Sequence, residues 1–457
     1  ILRSNGFMLS RIREQLQIDR PLAFALATRG WQAISGPITI AMLIHGLTLP
    51  EQGVYYSLIG IVGIQAFFEL GLLNVLVSQT GHEMAALRKI ESAETTLQSD
   101  ASFEHAAARM RDLIRSSMVW FGGASLLFVV CAIGAGLISL GDSEVAWMFP
   151  LLALVPIAAL TVFFAPAASI LEGAGERELV YRFRLAQIII GSLVVWSTLL
   201  AGWKLWSLVA SSAVQAIMAG YLTLTSARRF FHRFSRVKQP RSEFSWTHEV
   251  LPLQWRVALI GVATHFATQL FTVIVVMFHS DAEGAPLGMT LSATTAIQML
   301  AFAWVQTKYP VVAGHHGAGE REKAGNTWRR TTLVSTCLLL LGFLTLAALV
   351  ACLSLLPDQI ASRFLAPWQV LVLGMGCLAH HLCTCQGFYV LSRRAKPLFV
   401  ATLVGLLSTG LAVWVGGYLY STNGVVVGYA SAMCLILVPV HTRAYMRFRQ
   451  RGDAISV

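Results

Sequence analysis

Long apolar runs recur along the whole chain and leave few possible folds. A helix needs about 20 mainly apolar residues to cross the hydrocarbon of a bilayer, and only 12% of the residues are charged. The runs lack the alternating pattern of membrane strands. We therefore predict an all-α membrane protein with about twelve transmembrane helices. The predicted segments are 21–46, 54–77, 117–140, 146–169, 183–203, 205–226, 252–278, 288–313, 331–356, 365–391, 397–419 and 424–446.

Positive charge is distributed unevenly between the connections. The N-terminal stretch and every second connection carry most of the 34 Lys and Arg residues, whereas the opposite connections hold only Lys204 and Arg363. Cytoplasmic connections of membrane proteins retain Lys and Arg. We therefore expect a multi-pass protein of the bacterial inner (plasma) membrane with both termini in the cytoplasm. The net charge of +11 reflects this topology, and no nucleic-acid partner is expected.

The twelve segments divide into two groups of six, which predicts two six-helix lobes. Both groups start and finish on the same side, so the lobes would be related by a parallel two-fold pseudo-repeat. The residues matched at constant spacing are Gly53 with Gly288, Ser57 with Ser292, and Ala66-Phe67 with Ala301-Phe302. The predicted domains are a cytoplasmic amphipathic lead-in (1–20), an N-lobe (21–228), a cytoplasmic linker (229–251), a C-lobe (252–446) and a cytoplasmic tail (447–457).

Few features of the sequence suggest an enzyme. The predicted external loops have about ten residues or fewer, which leaves little room for acid/base groups, and no phosphate-binding glycine loop occurs. The run from His380 to Cys385 looks like a metal site, but only His381 and Cys385 share a helical face, which gives two ligands where a closed zinc site needs four. We therefore expect no catalytic residue, no metal and no cofactor.

Ionisable residues inside membrane helices are costly and usually face a cavity or a partner. Glu69 is the one carboxylate within the predicted segments, and Arg29 lies at a comparable depth, so the two could pair. Such a pair would be structural, or would handle substrate or a coupling cation. The basic residues within the segments are Arg29, Arg184, Arg256, Lys308 and Arg443.

The basic residues have two interpretations. Arg29, Arg256 and Lys308 could make a cavity electropositive, because guanidinium and ammonium groups suit a pyrophosphate or an acidic sugar. Arg256 and Lys308 could instead extend to the lipid headgroups, which is the interpretation we favour for Arg184 and Arg443.

Uncharged polar residues recur in segments seven and eight. His265 and Gln269 lie one turn apart in segment seven, and Gln298 and Gln306 lie in segment eight. They could form hydrogen bonds between helices or line a path for sugars.

Several short stretches resemble one family of transporters. Residues 49–56 (LPEQGVYY) followed by 68–72 (FELGL), Arg29 and Gln32 ahead of an apolar run, and the helix-ending residues 173–177 and 393–396 resemble Wzx-type O-antigen and polysaccharide flippases. These belong to the multidrug/oligosaccharidyl-lipid/polysaccharide (MOP) exporter superfamily. The lipid II flippases of that superfamily usually have fourteen helices, which disfavours that branch.

The resemblance implies a flippase that moves undecaprenyl-pyrophosphate-linked oligosaccharide to the outer leaflet by alternating access, without making or breaking a bond. The oligosaccharide would be the repeat unit of O-antigen, as in lipopolysaccharide, or of another surface polysaccharide. Arg29, Gln32, Arg256, His265, Gln269 and Lys308 would bind the substrate. The expected partners are the lipid-linked oligosaccharide, the bilayer, and the polysaccharide polymerase and assembly machinery.

The absence of a nucleotide motif leaves membrane potential or an ion gradient as the driving force. Glu69 is the candidate site for Na⁺ or H⁺ as the coupling ion. The alternatives to the flippase are a multidrug/cation antiporter of the same superfamily and a membrane-embedded polysaccharide polymerase or ligase.

Overall fold

The computed structural model describes residues 20–69, 72–92, 97–237, 245–246, 251–355, 361–393 and 398–454, and no strand occurs in these ranges. The helices of the first half are α1 (Arg20–Gly46), α2 (Leu49–Gly63), α3 (Gln65–Glu69), α4 (Leu72–Ser92), α5 (Leu97–Leu140), α6 (Met148–Ala174), α7 (Arg177–Leu200), α8 (Trp206–Tyr221) and α9 (Arg228–Ser235). Those of the second half are α10 (Leu251–Thr268), α11 (Phe271–Phe278), α12 (Asp281–Gly317), α13 (Arg321–Leu353), α14 (Pro367–Ser392), α15 (Phe399–Ala432) and α16 (Val438–Ala454). Single π-helical turns follow α8 and α15.

Each of the twelve predicted segments falls on one or more of these helices. By length and apolarity, 8 helices of the described chain could cross a membrane, or 9 if α10 and α11 form one bent span. That count treats α15 and α16 as one span of 52 residues, Phe399–Gln450. The protein therefore has the helices of a multi-pass membrane protein, while twelve crossings and the orientation of the termini stay predictions.

The long α15 helix is broken where the sequence predicts the boundary between the last two segments. Tyr420 and Ser421 have non-helical backbone angles, and Ser421 has a positive φ of 52°. The Ser421 hydroxyl donates to the Glu283 carboxylate and the Thr422 hydroxyl donates to the Glu283 carbonyl oxygen. These contacts attach the break to the start of α12.

Two predicted segments are not continuous helices, so that part of the prediction was wrong. Segment 54–77 is interrupted at Ile64, whose amide donates to Ile61 in a tight turn. Segment 252–278 bends by 50° between α10 and α11. Just before the bend, the hydroxyls of Thr264 and Thr268 each donate to the carbonyl four residues earlier, a contact that weakens and bends helices.

The apolar cores lie separately in the two halves of the chain. The largest buried cluster comes entirely from residues 263–437, whereas a second one comes mainly from residues 43–209. Helix α1 packs against α7 and α6 against α8 in the first half, and α13 packs against α14 in the second. The halves meet chiefly where α2 lies along α12. This division agrees with two lobes, although the parallel repeat itself stays a prediction.

The predicted linker and tail both contain helix. Helix α9 occupies the start of the predicted linker, and α16 continues through most of the predicted tail. Residues 1–19 of the predicted lead-in lie outside the described residues.

Candidate functional site

A cavity of about 860 Å³ opens between the two halves of the protein. Helices α1, α7 and α8 of the first half and α12 of the second form its wall. The lining residues are Ala25, Thr28, Arg29, Gln32, Tyr181, Arg184, Gln187, Ile188, Gly191, Ser192, Ser211, Gln215, Ala303, Gln306 and Thr307. A cavity of this size at the contact between two halves is the ordinary place for a ligand site.

Helix α1 contributes a cation and an amide to the cavity. Arg29 and Gln32 lie one turn apart on the same helical face, and the Arg29 guanidinium donates to Gln32 Oε1 over 3.2 Å. Both residues also line a side pocket of about 210 Å³ between α1 and α12. The structure therefore brings together two of the residues that the sequence named as substrate-binding.

Helix α7 contributes a second cation, Arg184. Its guanidinium pairs with Glu172 at 3.1 Å and lies over the Tyr181 ring at 5.4 Å. The Tyr181 hydroxyl donates to the other Glu172 oxygen over 2.7 Å. The interpretation of Arg184 as a headgroup-contacting residue missed this arrangement, because its position in the helix does not reveal which way the side chain faces.

Amides and hydroxyls are frequent among the remaining lining residues. Gln187, Gln215 and Gln306 come from three different helices, and the Gln187 side chain donates to the Gln215 carbonyl oxygen over 3.2 Å. No carboxylate is among the described lining residues, and Glu172 reaches the wall only through Arg184 and Tyr181. Such a wall can bind a ligand that is rich in hydroxyls and carries negative charge.

Lys308, another of the predicted basic residues, lies apart from the described lining. Lys308 follows Thr307 on α12, but its ammonium lies 5.8 Å from the centre of the exposed Trp304 ring. Arg256 is in α10, and its side chain lies outside the described residues.

His265 and Gln269 belong to a different contact between the halves. The His265 ring is buried and meets Phe67 edge-to-face at 4.7 Å, close to Gly63. Gln269 is exposed at the bend between α10 and α11. Neither residue lines the cavity, so the structure does not bring this predicted pair to Arg29.

Glu69 does not pair with Arg29, which corrects the proposed ion pair. No contact joins the two side chains, both of which are described, and Arg29 bonds to Gln32 instead. The separation follows from packing: α1 lies on α7, whereas α3, which ends at Glu69, lies on α10 and α5. Glu69 is half-buried there.

The halves are closed against each other at the N-terminal ends of α2 and α12. Gln52 is fully buried: its amide nitrogen donates to the Ala285 carbonyl oxygen over 2.9 Å, and its oxygen accepts from Arg363 over 3.0 Å. Gly53 lies so close to Asp281 that a Cβ atom would overlap the Asp281 carbonyl oxygen. Asp281 also accepts a hydrogen bond from Ser143.

A second glycine, Gly288, tightens the same contact one turn further along α2, at Tyr56. A Cβ atom on Gly288 would overlap the Tyr56 ring, and the Tyr56 hydroxyl donates to the sulfur of Met289 over 3.2 Å. On α12, Gly288 and Gln306 are separated by about 27 Å at 1.5 Å per residue. The closed contact and the cavity therefore lie toward opposite ends of α12.

An ion pair borders the closed contact. Burial alone would raise the pKa of Glu51, but hydrogen bonds from Lys204, at 2.6 Å, and from Thr48 outweigh it and lower the pKa. Glu51 thus stays ionised and ties the start of α2 to the loop before α8.

His381 and Cys385 share a face of α14, as their spacing predicts, with 3.5 Å between the ring nitrogen and the sulfur. His381 also contacts the Ser335 hydroxyl at 3.0 Å. No group of three or more metal-ligating side chains occurs among the residues that the structure describes.

No protein-family model and no curated protein sequence matches this chain. Several solved structures do match its fold. An inward-facing multidrug-resistance MATE transporter of the MOP superfamily aligns with a TM-score of 0.54 at 11% identity, over 93% of this chain and 99% of the transporter. The lipid II flippase MurJ in an inward closed conformation aligns with a TM-score of 0.58 at 11% identity, over 93% and 89%.

A third structure is a MOP-superfamily transporter from Pyrococcus furiosus, for which reversed polarity of the binding pocket suggests a different function. It aligns with a TM-score of 0.55 at 11% identity, over 97% of this chain and 98% of that protein. The chain therefore has the fold of MOP-superfamily transporters. At this identity the likeness concerns the fold alone.

Proposed function

We propose that this protein is a flippase of the MOP superfamily that translocates undecaprenyl-pyrophosphate-linked oligosaccharide across the bacterial inner membrane. The observation that carries the proposal is the chemistry of the cavity wall. Two guanidinium groups, Arg29 and Arg184, and a set of amides and hydroxyls line it, with no carboxylate among the described lining residues. Guanidinium groups bind phosphate in a bidentate manner, and amides and hydroxyls can bond to sugars.

Alternating access between the two halves would move the headgroup. The halves are closed at the end that carries few basic residues and parted at the cavity, which corresponds to an inward-facing state if the basic connections are cytoplasmic. The side pocket between α1 and α12 includes the exposed apolar residues Met299 and Leu300. A polyprenyl tail could remain in lipid beside this pocket while the headgroup occupies the cavity.

The energy source is proposed to be the membrane potential or a gradient of Na⁺ or H⁺. Glu69 is the first candidate for the ion site, because it is the one carboxylate in the predicted membrane segments. The cycle requires no cofactor. The product would pass to a polysaccharide polymerase and its assembly machinery, which we propose as partners.

The direct test is complementation in a cell that lacks its own polysaccharide flippase. We expect the intact chain to deliver lipid-linked oligosaccharide to the outer leaflet and Arg29→Ala to lower delivery about tenfold or more, the effect of one lost charge-assisted contact. Arg182→Ala is the matched control, because Arg182 is exposed on α7 and does not line the cavity.

A multidrug/cation antiporter is the second candidate, since a MATE transporter shares the fold. A site for lipophilic cations would need carboxylates facing the ligand, which are lacking among the described lining residues. If the oligosaccharide stays inside while the cells gain resistance to cationic drugs, the antiporter is correct and the flippase proposal is wrong.

A further inference from the structure

We propose that Arg184 is the second anion-binding group of the cavity, and that Glu172 holds it in the substrate-free protein until an anionic substrate takes its place. The inference rests on the proposed function, which it extends by naming this residue and its internal competitor. It concerns a side chain that the sequence interpretation assigned to the lipid headgroups.

The position of Arg184 fits a ligand-binding role. Arg184 and Arg29 lie on the packed helices α7 and α1, and both line the same cavity. The Arg184 side chain is 45% exposed although it is paired, so part of its guanidinium is available to a ligand. The Tyr181 ring beneath it limits how far the guanidinium can turn away.

The Glu172 carboxylate is held more firmly than the Arg184 guanidinium. Glu172 is only 17% exposed and accepts a hydrogen bond from Tyr181. It lies two residues before the end of α6, where Gly175 closes the helix with a φ of 101° and Arg88 donates to the Ala174 carbonyl oxygen over 2.7 Å. An entering anion would therefore move Arg184 rather than Glu172.

The ion pair between Arg184 and Glu172 is weak enough for an anionic ligand to replace Glu172. An ion pair with one partner half-exposed contributes little, because water screens it and two side chains must be ordered. A ligand with two negative charges or a bidentate geometry can compete with one carboxylate for such a guanidinium. Glu172 would then lower the affinity for weak anions and leave the site open to a strong one.

The ligand chemistry is a phosphoryl or carboxylate anion. Within the proposed substrate it could come from the pyrophosphate that joins lipid and sugar, or from an acidic sugar of the repeat unit. Both would present oxygen acceptors in the plane that a guanidinium fork requires. Separate probes can distinguish these two sources.

The test measures binding to the full chain in nanodiscs of neutral lipid. The probes are undecaprenyl pyrophosphate, the uncharged undecaprenol, and a soluble oligosaccharide that contains glucuronate. We expect Arg184→Gln to weaken binding of at least one anionic probe about tenfold or more relative to Arg182→Gln, which removes an exposed arginine from the same helix. Binding of undecaprenol should not change.

The Glu172→Gln variant separates the competitor from a structural role. Removing its charge should tighten anion binding several-fold, whereas a merely structural Glu172 would leave binding unchanged or weaken it. Arg184→Lys should restore part of the affinity, and thermal unfolding of each variant checks that it has folded.

The inference is overturned if the wild type binds neither anionic probe, or if Arg184→Gln and Arg182→Gln bind alike. If Arg184→Gln weakens binding of the pyrophosphate probe alone, the anion belongs to the lipid linkage. If it weakens binding of the glucuronate probe alone, the anion belongs to the sugar. If the variants behave as expected but the protein fails to complement a flippase-deficient cell, the anion site stands and the proposed function falls.

Discussion

Two arginine side chains on packed helices line the cavity. Arg29 donates to Gln32 one turn away on α1, and Arg184 on α7 pairs with Glu172. The sequence favours lipid headgroups as the contact of Arg184, the second residue of its predicted segment, yet this residue also lines the cavity. Depth can be counted along a sequence. The direction of a side chain depends on which neighbouring helices pack against it.

Gly53 offers a single-residue test of the closed contact. A Cβ atom in Gly53→Ala would overlap a backbone atom of Asp281, which cannot turn aside as a side chain could. Overpacking costs about 1–3 kcal/mol, so the closed state should lose population about fivefold or more. The measurement is the labelling of Met289→Cys by an external maleimide in a cysteine-free background. Gly53→Ala should increase this labelling.

Gly36→Ala is the control for this experiment, because nothing lies within 4 Å of a Cβ atom there. Equal labelling of the two alanine variants would show that the contact at Gly53 does not hold the halves closed.

Glu69 is the other residue whose role can be tested by one substitution. If it carries the coupling ion, Glu69→Gln should abolish the dependence of transport on the Na⁺ or H⁺ gradient in vesicles, since an amide cannot bind either ion as a carboxylate does. Glu322→Gln, which changes an exposed carboxylate in the first turn of α13, should behave as wild type. Full transport with unchanged ion dependence in Glu69→Gln would remove this residue from the mechanism.

At the scale of the helices, boundaries marked by charge or turn residues were predictable and internal breaks were not. The boundary near residue 420 was expected from the polar residues around it. The bend at Gln269 and Leu270 has no proline or glycine to mark it, and two threonine hydroxyls of α10 donate to backbone carbonyls just before it. Each contact depends on a side-chain rotamer, which composition does not specify.

Helix α9 was likewise unexpected within a linker, and its packing can be tested. Phe234 is 1% exposed in a buried cluster with Leu72 and Leu76. Phe234→Ala should lower stability by about 3–5 kcal/mol through lost burial and a cavity, seen as a lower thermal unfolding midpoint. Leu224→Ala, at a residue that is 64% exposed, is the control. Equal unfolding midpoints for Phe234→Ala and Leu224→Ala would mean that α9 does not stabilise this region.

For the whole molecule, the sequence predicts two lobes, and the largest buried apolar clusters lie mainly in one half of the chain or the other. The matched residues Gly53 and Gly288, on α2 and α12, both turn out to lie in the contact between the halves. Sequence could pair them as equivalent positions but could not show that they meet the opposite helix. That depends on how the halves are docked, which involves residues far apart in the chain.

Because α2 and α12 hold the two halves closed at one end, we predict that transport requires this contact to open. A Cβ atom built on Gly288 lies 2.5 Å from the Tyr56 Cβ, so Tyr56→Cys with Gly288→Cys should form a disulfide after a slight separation of the helices. In a cysteine-free background, oxidation should stop transport and reduction should restore it. The control pair, Gly46→Cys with Leu199→Cys, has Cβ atoms 3.5 Å apart within the N-terminal half, so its disulfide should form and leave transport intact. Unimpaired transport by the oxidised Tyr56–Gly288 pair would exclude this movement.

The proposed flippase moves a lipid-linked oligosaccharide from one leaflet to the other. The most direct measurement uses purified protein in liposomes with a fluorescent oligosaccharide on undecaprenyl pyrophosphate, half of it protected from an external quencher. Under an imposed membrane potential or ion gradient, we predict that the protected half becomes quenchable with the intact protein and about tenfold more slowly with Arg29→Ala. If the protected half stays protected with the intact protein under every gradient, the protein is not a flippase for this lipid.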